Sequence, residues 1–201
     1  MRRFFVENIE QNTLTLPEEE SKHVIRVLRM NIGEFIELVD GKGTLVKAEI
    51  VSDNPKKCAV EVLEREAKKS DPYSIHIAIA PTKNLDRMEW MIEKCTELGI
   101  HRISFLNCSN NERKVLKVDR LQKIAVAAMK QSKRYFLPVI EELADFESFI
   151  SKYPRGYIAH CYEGKKKSLF PSYRGNGLPI LIGPEGDFSS QEVAQAINSG
   201  Y

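Results

Sequence analysis

A glycine-rich turn near the end of the sequence has the residue types best suited to hold a ligand. An apolar run over residues 179–182 leads into Gly183, Pro184, Glu185 and Gly186, and a helical pattern follows at once. In an open parallel sheet, ligands bind beyond the carboxyl ends of the strands, where glycines allow close approach to the backbone. The pattern fits a ligand site, and a tight strand-to-helix connection without a ligand fits it equally well.

The spacing of these glycines argues against two common nucleotide sites. It is Gly-x-x-Gly rather than the Gly-x-Gly-x-x-Gly of dinucleotide-binding folds, and no segment ends in the Gly-Lys-Ser/Thr of a P-loop. The four cysteines and four histidines are dispersed, without a Cys-x-x-Cys pair, so we expect buried thiols and no metal. No apolar stretch approaches the ~20 residues that span a bilayer, and a signal-peptide core is missing, so we expect a cytoplasmic protein without a membrane segment.

A second candidate feature is a basic cluster over residues 112–134. It holds eight basic residues against two acidic ones, although the formal net charge of the whole chain is only +2. Each phosphate that such a cluster neutralises releases condensed counterions, so the cluster fits a nucleic acid. A solvated helix face is the alternative, and charge alone does not decide between them.

The elements of the first part of the chain are short β-rich runs with one helix. We predict strands over 3–6, 13–16, 34–39, 44–51 and 59–63, a hairpin turn over 40–43, and a helix over 18–28. Such strands indicate a small barrel. Residues 64–72 are charged and polar, which places a boundary between a domain of residues 1–70 and one of residues 71–201.

The second part alternates strands and helices, which predicts an α/β domain with a mostly parallel sheet. We predict strands over 75–80, 102–106, 139–141, 156–161 and 179–182 and helices over 84–98, 119–134 and 145–153, with a last helix after Ser189. Asp119 is expected to cap the helix over 119–134, with Lys123, Lys130 and Arg134 on its outer face. Ser189 and Glu192 have capping-box spacing.

Several motifs, taken in their order and spacing, resemble the RsmE family of SPOUT methyltransferases over nearly the whole chain. They are Arg2-Arg3-Phe4-Phe5, residues 23–29, Asp40-Gly41, Lys83, residues 88–99, Glu112-Arg113, Arg120-Leu121, residues 127–132, Pro138 and residues 181–186. The resemblance implies a PUA-like β-barrel followed by a SPOUT α/β domain with a C-terminal trefoil knot, and a homodimer. It also implies methyl transfer from S-adenosylmethionine to N3 of a uridine in 16S rRNA of the small ribosomal subunit.

Three groups of site residues are expected in this chain. The resemblance implies that the cofactor would contact Ile182, Gly183, Pro184, Glu185 and Gly186, with His160 and Cys161 on a neighbouring strand. From the chemistry of the step, Arg113 would steady the anionic uracil, because a fixed cation favours the deprotonated imide, although a phosphate contact or an ordinary surface arginine explains Arg113 as well. The base would be Glu112 or a water. RNA would contact Arg2, Arg3, His23, Arg26, Arg29, Lys117, Lys130, Gln131, Lys133 and Arg134.

The chain departs from the family's pattern at two positions beside this site. Lys130 stands where an acidic residue is usual, and Asp187 stands where a third glycine is usual. We also expect that a segment completing the knot and pocket would follow Tyr201. Two other functions remain open: a noncatalytic RNA-binding protein, and a related methyltransferase that acts on another nucleotide. Binding of S-adenosylmethionine separates the first of these from an enzyme.

Overall fold

The structure, a computed structural model, describes residues 1–164 and 166–201 and divides into two compact units. The first unit consists of residues 1–70 and 126–137, and the second of residues 71–125 and 138–201. The sequence division therefore differs from the observed units in one segment, residues 126–137. No described helix has the length and apolar character needed to cross a membrane.

The first unit is built on a curled five-stranded sheet. Its strands are β1 (Arg3–Phe5), β2 (Thr13–Thr15), β3 (Phe35–Val39), β4 (Thr44–Ser52) and β5 (Ala59–Ala67), in the order β1-β3-β4-β5-β2. β1 pairs with β3 in parallel, and the other neighbours are antiparallel. Alternate residues of β4 are fully buried, as expected for a sheet with one face on the core. β5 extends through Ala67, so the charged residues 64–66 continue this strand.

The predicted hairpin at Gly41 is confirmed. The Asp40 carboxylate accepts hydrogen bonds from the backbone N–H groups of Lys42 (2.7 Å) and Thr44 (2.9 Å), and Gly41 has a φ of 72°. This left-handed backbone favours glycine. β3 and β4 then pair in register, with Val39 opposite Leu45.

The single helix predicted over 18–28 is wrong in its second half. An α-helix, α1 (Glu18–Lys22), passes into a π-helical turn, His23–Val27, in which Leu28 N–H donates to the carbonyl of His23 at 2.9 Å. Arg29 then has a φ of 53°, which ends the helix. Packing of Val24 into the core accompanies the widened turn, and π-helical turns often occur at functional sites.

Residues 126–137 belong to the first unit because their backbone bonds to its β3–β4 hairpin. Gly43 N–H donates to the carbonyl of Tyr135 at 3.0 Å, and Leu137 N–H donates to the carbonyl of Gly41 at 2.8 Å. The rings of Tyr135 and Phe136 also lie against this unit: Arg3 is stacked over the former, and a Cβ on Gly43 would meet the latter. Pairing between segments so distant in sequence has no local signature.

The second unit holds a five-stranded sheet that is parallel throughout. Its strands are β6 (Ser74–Ile79), β7 (Arg102–Asn107), β8 (Val139–Asp145), β9 (Tyr157–Ala159) and β10 (Asn176–Ile182), in the order β8-β7-β6-β10-β9. The central part of β7, Ile103 to Leu106, is buried on both faces, as expected for an inner parallel strand. The α/β class with a mostly parallel sheet is confirmed.

The helices that follow β6 begin and end close to the predicted residues. They are α2 (Leu85–Leu98), α3 (Val118–Gln131), α4 (Phe146–Lys152), the short α5 (Leu169–Ser172), which was not predicted, and α6 (Ser190–Asn198). Asn84 caps α2, accepting from Asp86 N–H at 2.8 Å, and Gly99 ends it with a φ of 81°. α3 begins at Val118, so Asp119 lies in its first turn instead of capping it. The expected end at Arg134 is also wrong, because Lys133 has a φ of 57°.

The cysteines follow the expectation of buried thiols at three positions. Cys58, Cys95 and Cys108 are free and buried, whereas Cys161 is exposed. That expectation is wrong for Cys161 because it lies in the segment after β9, outside the sheet. Among residues 1–164 and 166–201, no group of His, Cys, Asp and Glu side chains is arranged to hold a metal ion.

Candidate functional site

The glycine turn lies directly after β10, at the carboxyl edge of the parallel sheet. Asp187 N–H donates to the carbonyl of Pro184 at 2.9 Å, which closes a tight turn. A Cβ on Gly183 would lie 3.0 Å from the ring of Phe188, so the close packing of the buried phenyl ring leaves little room for a side chain. Gly186 is exposed, and a Cβ there would meet nothing nearer than 3.6 Å. Its backbone is therefore open to a ligand.

Asp187 follows the turn with a φ of 63°, a conformation that costs energy for residues other than glycine but that Asp tolerates better than most. One carboxylate oxygen accepts from Cys161 N–H at 2.7 Å, and the other accepts from Phe188 N–H at 2.8 Å. Tyr162 adds a hydrogen bond from its hydroxyl to the Phe188 carbonyl at 2.9 Å. The turn is thus joined to the segment after β9.

The predicted capping box of α6 is confirmed, and it has a further role. Ser189 accepts from Glu192 N–H, while the Glu192 carboxylate accepts from Ser189 N–H at 2.8 Å. The other oxygen of this buried carboxylate accepts from Ser109 N–H at 2.8 Å, in the loop after β7. Burial, together with the nearby Glu192 charge, raises the pKa of Cys108 to about 12, so this thiol is not reactive at neutral pH.

Lys83, in the loop after β6, connects the glycine turn with Arg113. Its N–H donates to the Glu185 carboxylate at 3.3 Å, and its carbonyl accepts from the Arg113 guanidinium at 2.6 Å. Arg113 also donates to the Thr82 carbonyl at 3.3 Å. Two backbone carbonyls therefore hold the half-buried Arg113 guanidinium near the turn, as a preorganised positive charge.

Glu112 extends in the same region but has a cationic partner. Its carboxylate lies 3.1 Å from the Lys83 ammonium, and both side chains are more than half exposed. An exposed ion pair of this kind contributes little to stability. The pair does place the carboxylate at the same sheet edge as Arg113.

The segment after β9 supplies two more of the predicted residues. β9 pairs in parallel with β10, with Ala159 opposite Ile182, so His160 and Cys161 follow at the same edge as the glycine turn. The Nδ1 atom of His160 is buried and has no hydrogen-bond partner among the described residues. The same holds for the Oδ1 atom of Asn111, after β7. Buried polar atoms without partners are rare, and both occur at this edge.

The predicted RNA-binding residues of the first unit have unequal exposure. Arg2, His23, Arg26 and Arg29 are exposed, with His23 edge-on to the ring of Phe4 and 3.9 Å from the Glu20 carboxylate. Arg3 differs from the expectation, because its side chain is only 5% exposed.

Arg3 is held by three partners within the first unit. It is 3.0 Å from the Glu37 carboxylate, donates to the Arg134 carbonyl at 3.2 Å, and stacks over the Tyr135 ring. A phosphate would have to break this set. The assignment of Arg3 to RNA contact is therefore corrected to an interior role.

The basic cluster over 112–134 is likewise divided. Lys117 lies in the second unit, whereas Lys130, Gln131, Lys133 and Arg134 lie in the first. The Lys130 ammonium is 2.5 Å from the Glu20 carboxylate and both side chains are largely buried, so Lys130 does not lie on an outer basic face as predicted. Gln131 and Lys133 are exposed.

Sequence reasoning missed several residues that assemble this edge. Asn110 donates to the carbonyl of Asp187 at 3.0 Å. This bond and those made by Tyr162 and by the second Glu192 oxygen have no signal in the sequence, because their partners lie 26 to 83 residues away. Asn111 and Lys83 carried a weak signal, since both follow buried strands at the edge where ligands bind.

The fold and this site define a two-unit α/β protein with an open glycine turn at the carboxyl edge of a parallel sheet and a separate, small β-rich unit. Family models support this class: an RNA methyltransferase domain matches residues 69–201, and an RNA methyltransferase PUA domain matches residues 16–63. The chain belongs to the RNA methyltransferase family, and the resemblance to RsmE proteins is confirmed.

Individual relatives agree with the family match. The Ribosomal RNA small subunit methyltransferase E of Bacillus subtilis is 29% identical over 96% of this chain and 84% of that protein. A probable rRNA-methyltransferase from Porphyromonas gingivalis has a crystal structure with a TM-score of 0.86 and 38% identity, covering 100% of this chain and 87% of that one. A putative methyltransferase from Legionella pneumophila, solved with bound S-adenosylmethionine, has a TM-score of 0.83 and 26% identity over 98% and 86%.

Proposed function

We propose that this protein transfers a methyl group from S-adenosylmethionine to N3 of a uridine in 16S rRNA of the small ribosomal subunit. The observation that carries the proposal is the link through Lys83, which holds the Arg113 guanidinium beside the open glycine turn. The names of the relatives support the small-subunit rRNA as substrate, and the bound ligand of the Legionella protein supports the methyl donor.

The residues at the sheet edge fit this donor. The exposed backbone of Gly186 gives room for close approach, and the unpartnered Nδ1 of His160 offers a polar atom that a ligand can satisfy. We assign the donor site to residues 182–186 together with His160 and Cys161. The proposal does not require a metal.

When bound, S-adenosylmethionine supplies an electrophilic methyl group on a sulfonium. The protein's own contribution is to align the uracil and to stabilise its deprotonated imide. Arg113 suits the second task because its two backbone partners fix the guanidinium in advance, so little reorganisation is needed as negative charge develops. Alignment of two reactants can contribute about 7 to 11 kcal/mol, more than any single side chain.

The proton on N3 must be removed, and we assign this step to Glu112 or to a water molecule. The Glu112 carboxylate lies 3.1 Å from the Lys83 ammonium. The same partner competes for the carboxylate oxygen. Replacing Glu112 with Gln distinguishes the two: a large loss of rate assigns the step to Glu112, and an unchanged rate assigns it to water.

The RNA would contact exposed basic and polar residues of both units. From the predicted set these are Arg2, His23, Arg26, Arg29, Lys117, Gln131 and Lys133, together with the half-buried Arg134 and without the buried Arg3 and the paired Lys130. We further propose that the protein acts in the cytoplasm as a homodimer, as the resemblance implies.

Two measurements test the proposal. Calorimetry with S-adenosylmethionine should show binding to the unaltered protein, and small subunits lacking the modification should gain one methyl group on uridine N3, as mapped by mass spectrometry of digested rRNA. Arg113→Ala should lower the rate of methylation about 10² to 10³-fold, as for the loss of one preorganised donor, while donor affinity changes less than threefold.

Arg174→Ala is the matched control, since Arg174 is also exposed in part and donates to a backbone carbonyl, that of Pro171 at 2.9 Å. It should retain the full rate. If the protein does not bind the donor, the result favours a noncatalytic RNA-binding protein. Methylation of another base would instead favour a related methyltransferase.

A further inference from the structure

Asp187 joins three separate segments at the carboxyl edge of the second sheet through its carboxylate and its backbone carbonyl. Asp187 itself lies at the end of the glycine turn, with a φ of 63°. Its side chain accepts the Cys161 N–H at 2.7 Å, and its carbonyl accepts the Asn110 amide at 3.0 Å. The partners therefore follow β9 and β7, while the residue follows β10.

Both carboxylate oxygens of Asp187 accept hydrogen bonds from backbone N–H groups, so the negative charge is engaged within the protein. The second oxygen accepts from Phe188 N–H at 2.8 Å. Hydrogen bonds to an ionised acceptor are shorter and stronger than neutral ones. This set offsets the energetic cost of a non-glycine residue with a positive φ, which glycine would avoid entirely.

We propose that Asp187 is a positioning residue for the methyl donor: its carboxylate holds the segment of His160 and Cys161 against the glycine turn, so that both donor-contacting backbones are fixed before binding. The inference rests on the proposed function. It explains why a strained residue occupies a turn in which glycine would be easier. A glycine here relieves the backbone but leaves Cys161 N–H without this acceptor.

The proposal separates donor affinity from stability, because glycine and alanine remove the same hydrogen bonds but differ in backbone strain. Donor affinity should depend on the acceptor that the side chain offers to Cys161 N–H. It should be highest for the unaltered protein and intermediate for Asp187→Asn. In Asp187→Gly and Asp187→Ala it should be lower by the same factor, about tenfold. Thermal stability should instead depend on backbone strain at residue 187, so Asp187→Gly should have a higher melting temperature than Asp187→Ala. A purely structural role would give both properties the same order.

The experiment combines amide hydrogen exchange without ligand and calorimetry with S-adenosylmethionine on the four proteins, with Asp71→Gly as an exposed control. Exchange at Cys161 should quicken in the Gly and Ala variants and stay unchanged in the control. Unchanged exchange at Cys161, or unchanged donor affinity in the Gly variant, would overturn the positioning role alone. No binding by the unaltered protein would overturn the proposed function, and this inference with it.

Discussion

A buried network in the second sheet predicts a loss of stability in mild acid. His76 on β6 is 2% exposed, and its Nε2 lies 2.7 Å from the hydroxyl of Ser104 on β7. That hydroxyl donates to the Glu141 carboxylate on β8 at 2.5 Å, so Nε2 must carry the proton that Ser104 accepts. His76 is also sealed beneath the rings of Phe149 and Tyr153, and this burial favours its neutral form in the folded protein.

The magnitude follows from the difference in His76 pKa between the folded and unfolded chains. Burial, and secondarily the positive charge of Arg102, lower the pKa of His76 from 6.5 to about 4. Below pH 6.5 the unfolded chain takes up a proton that the folded chain does not. Each pH unit then removes about 1.4 kcal/mol, so the free energy of unfolding should fall by about 2 kcal/mol between pH 7 and pH 5.

The assay is urea unfolding followed by circular dichroism at the two pH values. His76→Gln is the matched variant, because it keeps an N–H donor for Ser104 but does not titrate. Its free energy of unfolding should change by less than about 0.5 kcal/mol over the same interval. The comparison uses the pH difference within each protein, so a general penalty of the substitution cancels. Equal pH dependence in both proteins would refute the assignment to His76.

Three further predictions concern the second and first units. Asn84→Ala removes the side-chain cap of α2 and should cost about 1 kcal/mol of stability, measured by thermal unfolding; an unchanged melting temperature would contradict the capping role. Glu192→Ala leaves the N–H groups of Ser109, in the loop after β7, and of Ser189 without their acceptor and should cost about 2 kcal/mol, whereas a cost near zero would argue against this connection. Joint replacement of Arg26 and Arg29 by Ala should reduce the slope of log affinity for rRNA against log salt by about 1 to 2, and an unaltered slope would exclude phosphate contact.

The elements of the fold were largely predictable because they depend on local patterns. The alternation of strands and helices after residue 71 gave the parallel sheet, and Asn84, Gly99 and Ser189 marked helix ends through their own side-chain or backbone chemistry. The π-helical turn His23–Val27 was not predictable, since its apolar residues also fit an ordinary helix. The wider turn goes together with the packing of Val24 in the core of the first unit, and a local sequence window does not contain that core.

The charges were harder to interpret than the elements. Lys130 has the spacing of an outer helix face, yet it pairs with Glu20, which lies 110 residues away in sequence. Arg3 belongs to a basic motif, yet Glu37 holds it inside the unit. In both cases the sequence analysis assigned to RNA a charge that forms an ion pair within the first unit. A helical pattern or a short motif shows which residues lie together but not what lies opposite them.

The candidate site contains one feature that the sequence predicted and several residues that it did not. The glycine turn was visible because its backbone chemistry is local, whereas the residues that give the turn a function come from three other strand ends. Lys83 joins Arg113 to the turn, and Asp187 joins Cys161 to it, through bonds that span 30 and 26 residues. Each bond is made to a backbone group, so the type of the partner residue carries no information about it. A site assembled from backbone donors and acceptors therefore leaves a trace in sequence only where glycine or a strained residue is required.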